Sequence, residues 1–119
     1  MVTGVNETDL SDSAFWILTA LATGRNHGYA LIRTVEDLSA GVTKLKATTL
    51  YSVLDRLSES GLINSDGDEI VGGRVRRHFV MTAAGEERLA VVAEHLEAKA
   101  RSARVQIAAR SALAHGATS

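Results

Sequence analysis

The apolar positions along the chain fall into blocks whose spacing runs from helical to alternating and back to helical. Residues 13–23 are apolar nearly all round (Ala14, Phe15, Trp16, Ile17, Leu18, Ala20, Leu21, Ala22), with Ser11 or Asp12 available as a cap and Gly24 as a stop. Such a pattern predicts a helix covered on more than one side, and in so short a chain it implies a partner subunit. Asn26 or His27 opens a second helix, about residues 28–39, in which Leu31, Val35 and Leu38 recur at helical spacing before Gly41. Val42 to Leu45 form a short connector with room for one brief strand. A third helix, about 47–60, carries Leu50, Val53, Leu54 and Leu57 as one stripe and ends at Gly61. Opposite the stripe lie Thr48, Ser52, Asp55 and Glu59, with Thr49 and Arg56 on one flank and Tyr51 on the other.

Leu62–Ser65 and Arg76–Met81 then read as strands of one hairpin. Gly72-Gly73 is favoured as its tip because it leaves longer strands; Asp66-Gly67 is the alternative turn. Thr82 is a plausible cap for a long last helix from about 83 to 110 or beyond. Along it Leu89, Ala93, Leu96, Ala100, Ala103 and Ile107 are spaced 4, 3, 4, 3 and 4 residues apart, a heptad seam suited to a second helix. The predicted order is α-α-α-β-β-α: a mainly α fold with a small β-hairpin, a winged helix-turn-helix with a long C-terminal dimerisation helix. The expected division is a winged domain at 12–82, a dimerisation helix at 83–112, and flexible ends at 1–11 and 113–119.

Composition narrows the function. The 119 residues are 45% hydrophobic and 23% charged, as in a soluble globular domain. There is no cysteine, which excludes disulfides and thiolate metal sites and suits the cytoplasm. Residues 1–12 do not read as a secretory signal, and no apolar run is long enough to span a bilayer, so no membrane partner is expected. Net charge is −1, unusual for a nucleic-acid binder, but the cations are unevenly placed. Residues 1–43 hold two basic and five acidic side chains, whereas residues 44–81 hold six basic side chains and five acidic ones.

Those six are Lys44, Lys46, Arg56, Arg74, Arg76 and Arg77. In a helix-turn-helix the second helix enters the major groove and its N-terminal residues meet the bases. Here that helix begins Lys46-Ala47-Thr48-Thr49, followed by Tyr51 and Ser52. Short hydroxyl side chains permit close approach and can bond base edges or phosphates. Arg74, Arg76 and Arg77 sit on a protruding ribbon suited to phosphate contact or minor-groove insertion. Asp68 and Glu69 would lie across the hairpin from Arg77 and Arg76. The candidate DNA-contacting set is therefore Lys44, Lys46, Thr48, Thr49, Tyr51, Ser52, Arg56, Arg74, Arg76 and Arg77. The candidate dimer set is Phe15 and Trp16 with the six seam residues.

His27-Gly28-Tyr29, Thr49-Leu50-Tyr51, Glu59-Ser60-Gly61-Leu62-Ile63, Gly72-Gly73-Arg74-Val75-Arg76-Arg77 and Met81-Thr82-Ala83-Ala84-Gly85 occur in an order and spacing that resemble PadR-like regulators, over about residues 14–110. The resemblance implies a homodimeric, repressor-type transcriptional regulator on a near-palindromic operator, its dimer held by the C-terminal helix with help from the first. A single C-terminal helix is similar to the small PadR subfamily. The chain departs from the family in having no proline, with Lys46-Ala47 where Ser-Pro often opens the recognition helix.

Rival readings stay open at several residues. Trp16 is core or dimer interface, or a platform on which a small-molecule effector stacks. Tyr51 reaches phosphate or is a half-buried edge ring. Tyr29 is partly packed or touches the DNA backbone. The four histidines lack metal-ligand spacing, and there is no phosphate-binding glycine loop and no nucleophile context, so neither a cofactor nor enzymatic activity is expected. The competing function is a winged-helix protein-interaction module without specific DNA binding.

Overall fold

The structure, a computed structural model, describes residues 10–116. Its elements are α1 (Asp12–Leu21), β1 (Asn26–His27), α2 (Gly28–Leu38), α3 (Ala47–Glu59), β2 (Ile63–Val71), β3 (Arg74–Met81) and α4 (Ala83–Gly116). Ser11 caps α1 by accepting a hydrogen bond from the Ala14 amide at 3.1 Å. His27 caps α2 with its ring, Nδ1 accepting from the Ala30 amide at 3.2 Å. The chain therefore turns into α2 on an imidazole, in place of the usual hydroxyl or carboxylate.

One core joins the three short helices to the base of the hairpin. Ile17, Leu18 and Leu21 of α1, Leu31 and Val35 of α2, the predicted stripe of α3, and Leu62, Ile63 and Phe79 are all buried. Much of the cover that α1 needs comes from its own chain, through α2, α3, β3 and the first turns of α4. Phe15 and Trp16 stay half-buried, ring edge to ring face at a centroid distance of 5.4 Å.

The sheet has three antiparallel strands in the order β1-β3-β2. The brief strand expected at Val42–Leu45 does not form. That segment is held as a connector by Ser39, whose buried Oγ accepts from the Thr43 amide at 2.9 Å. The third strand is instead Asn26–His27, which pairs with Phe79 and His78 on the free edge of β3. The hairpin tip is Gly72-Gly73, with φ of +59° and +78°, the left-handed pair that a two-residue I′ turn requires. The alternative turn, Asp66-Gly67, is a bulge: between the pairs Ser65–Phe79 and Asp68–Arg77, two residues of β2 face His78 alone.

Of the end segments expected at 1–11 and 113–119, the structure describes residues 10–11 and 113–116. Leu10 packs against the core and Ser11 is the α1 cap. Residues 113–116 continue α4, because alanine-rich sequence sustains the helix until Gly116. The rest of both segments lies outside the described residues. The 34 residues of α4 give a rod of about 51 Å, and every described residue beyond Ala93 is exposed.

Candidate nucleic-acid interface

The apolar stripe of α3 seats it against the core and turns its other side outward. Thr48, Thr49, Ser52 and Arg56 are exposed, as are Lys44 and Lys46 just before the helix. Lys46 is the N-cap residue but its side chain makes no capping bond. The first amides of α3 therefore point outward without a side-chain acceptor, a setting that favours an anion. Tyr51 is 44% exposed, on the flank towards α2. Its ring lies against Gly28: a Cβ there would sit 3.1 Å from Tyr51 Cε1 and 3.2 Å from the hydroxyl. The ring is therefore packed on the Gly28 side and accessible on the other.

The wing meets α2 beside this contact. The Arg76 guanidinium lies over the Tyr29 ring, 4.6 Å from its centroid, a cation–π arrangement. Two residues before Tyr29, His27 stacks edge to face with His78 at 5.6 Å. A continuous line of contacts therefore runs from α3 (Tyr51) through α2 (Gly28, Tyr29) to β3 (Arg76, His78). It fixes the wing relative to the recognition helix. On the far side, Arg25 Nη1 donates to the Asp66 carbonyl at 2.8 Å and lies 3.4 Å from its carboxylate, pinning the bulge.

The ladder places Asp68 opposite Arg77 and Glu69 opposite Arg76, as the sequence predicts. Only the first of these pairs forms, at 3.7 Å between exposed groups. Glu69 instead reaches diagonally to His78, whose Nε2 donates to Oε1 at 2.5 Å. Arg74, opposite Val71, has no ion-pair partner among the described residues and is exposed.

Of the dimer set, Phe15, Trp16, Leu89 and Ala93 are half-buried. Leu96 is 45% exposed, and Ala100, Ala103 and Ile107 are exposed. A cleft between α1 and α4 brings together Phe15, Trp16, Val92, His95, Leu96 and Lys99. The structure thus brings Leu96 of the seam together with both aromatics and leaves Ala100, Ala103 and Ile107 uncovered.

Tyr29, Glu69 and His78 contact one another, Arg76 or His27 beside the candidate DNA-contacting set without being part of it. A signal for two of them existed: Arg76 and His78 are two apart on one strand, hence on one face, and Tyr29 follows the small residue that lets Tyr51 approach. Among the described residues no group of three histidines, aspartates or glutamates is placed to hold a metal ion. Nor is any helix there long and apolar enough to cross a membrane.

Three helices, a two-glycine wing and a C-terminal helix define a winged helix-turn-helix protein. Residues 17–91 match the model of the transcriptional regulator PadR-like family, and the chain belongs to that family. Solved structures similar to it include a transcriptional regulator from Clostridium thermocellum, at 24% identity over 76% of this chain and 88% of that one, with a TM-score of 0.66. A PadR family regulator from Clostridium difficile R20291 matches at 20% identity over 80% of this chain and 97% of that one, with a TM-score of 0.67. Bacillus subtilis PadR, solved in complex with operator DNA, matches at 21% identity over 68% of this chain and 46% of that one, with a TM-score of 0.59. At these identities the likeness speaks for the fold. No curated protein matches the chain.

Proposed function

We propose that the chain is a sequence-specific DNA-binding regulator that acts as a homodimer, in the manner of a repressor, on a near-palindromic operator in the cytoplasm. The observation that carries this reading is the outward start of α3: Thr48, Thr49 and Ser52 exposed on an uncapped helix end, tied by Tyr51, Gly28 and Tyr29 to a wing bearing three arginines. The hydroxyls would read bases in the major groove while Lys44, Lys46, Arg56 and the wing contact phosphates. Bacillus subtilis PadR, with the same fold, was solved on its operator. The uncovered seam of α4, with Phe15 and Trp16 at its start, would seat the second copy and so set two recognition helices in two-fold relation. Stacking of a small-molecule effector on Trp16, in the α1–α4 cleft, is the rival use of that residue.

Selection of bound sequences from random duplex DNA tests the reading. A near-palindromic motif is expected, with affinity falling steeply as salt rises. Recovery of no motif, with no retention on heparin, would leave the protein-interaction module as the better account.

A further inference from the structure

We propose that His78 is a positioning residue for the wing: it holds the Glu69 carboxylate away from Arg76 and so keeps that cation available to DNA. The inference rests on the DNA-binding reading. Glu69 stands directly opposite Arg76 in the ladder, the relation in which opposite charges normally pair. It pairs instead with His78, and Arg76 turns onto Tyr29.

Burial decides between the two partners. The His78 side chain is 8% exposed, and its Nδ1 has no hydrogen-bond partner among the described residues. Without Glu69 the ring would have both nitrogens unsatisfied in the interior, a heavy penalty. A Glu69–Arg76 pair would form at the solvent-facing hairpin, where such pairs contribute little. The bulge helps, because it leaves His78 facing Asp66-Gly67 with no single residue opposite it, and Glu69 can lean back over the ring. His27, edge to face with His78, confines the ring from the α2 side. The result is a wing that carries two acids close to its arginines yet, among the described residues, leaves Arg74 and Arg76 free of carboxylate.

The test uses full-length wild type, Glu69→Gln, His78→Phe and the double variant, bound to random-sequence duplex DNA across a salt series. His78→Phe is expected to lower the log–log salt slope by about 0.9, the value for one lost phosphate contact. Glu69→Gln alone should leave the slope unchanged, and adding it to His78→Phe should restore the wild-type slope. His78→Gln keeps an N–H donor and is expected to behave as wild type; His78→Leu is the second removal variant should phenylalanine not be accommodated. In parallel, the Arg76 Nε–Hε resonance in DNA-free protein should carry the ring shift of Tyr29, lose it in His78→Phe and regain it in the double variant. A wild-type slope and an unmoved Arg76 resonance in a folded removal variant would overturn the proposal. So would Glu69→Gln steepening the slope equally in both backgrounds. Wild-type protein that binds no duplex would overturn the DNA reading itself, and the resonance would still decide whether His78 draws Glu69 off Arg76.

Discussion

A Cβ added to Gly85 would lie 2.1 Å from the carbonyl oxygen of Leu62 and 2.8 Å from Met81 Cγ. The first turn of α4 therefore rests directly on the backbone that leaves α3. Thr82 fastens the two: its amide donates to that same Leu62 carbonyl at 3.1 Å, and its hydroxyl donates to the Gly61 carbonyl at 2.7 Å and accepts from the Gly85 amide at 3.0 Å. Backbone cannot step aside as a side chain can, so Gly85→Ala should cost at least the roughly 1–3 kcal/mol of ordinary overpacking. Gly61 has φ of +76° but nothing within 4 Å of its would-be Cβ. Gly61→Ala should cost only the roughly 1–2 kcal/mol of left-handed backbone. Urea denaturation of both variants checks the order; a Gly85→Ala protein as stable as wild type would show that α4 is not seated so closely.

Thr49 and Ser52 are exposed on the outward part of α3, and among the described residues their side chains make no hydrogen bond. Replacing either by alanine should leave stability nearly unchanged and alter base preference at a few positions by roughly 1–3 kcal/mol. The check is a repeat of the sequence selection with each variant. Identical motifs from both would remove α3 as the reader.

Among the described residues, Arg74 is the wing cation with neither a carboxylate nor an aromatic ring beside it. Arg74→Ala should weaken operator and scrambled duplex by similar factors and reduce the salt slope by about 0.9. Loss of operator preference at an unchanged slope would instead make Arg74 a minor-groove reader.

Much of this arrangement was legible in the sequence because it rests on local rules. The stripe of α3 follows from spacing and the Gly72-Gly73 tip from a backbone angle that glycine adopts readily, while the cap of α1 was narrowed to Ser11 or Asp12 by side-chain type. β1 was not legible: Asn26 and His27 have no strand preference, and they pair only because folding brings them to the open edge of β3. The partner of Glu69 was half legible. Alternation puts Arg76 and His78 on one face, but which of them wins depends on His78 being buried, a property of the tertiary fold. The α1–α4 cleft was legible only as two separate apolar surfaces, Phe15 with Trp16 and the seam, because their meeting depends on how α4 departs from Thr82.

The two faces of α4 make opposite predictions. Leu96 lies on the heptad seam, 45% exposed in one chain, in the cleft with Phe15 and Trp16. Val105, nine residues on, points from the opposite side of the helix and is 56% exposed. An aspartate at either place should be tolerated by a single folded chain, since each side chain reaches solvent. Burial between two copies changes that, because a carboxylate enclosed without a partner is costly. Leu96→Asp should therefore dissociate the dimer at micromolar concentration while Val105→Asp leaves it intact, as read by sedimentation velocity alongside circular dichroism to confirm helicity. A dimer that survives Leu96→Asp but is lost with Val105→Asp would place the second copy on the other face. Loss of secondary structure in Leu96→Asp, rather than a helical monomer, would mean that the chain relies on its partner to fold.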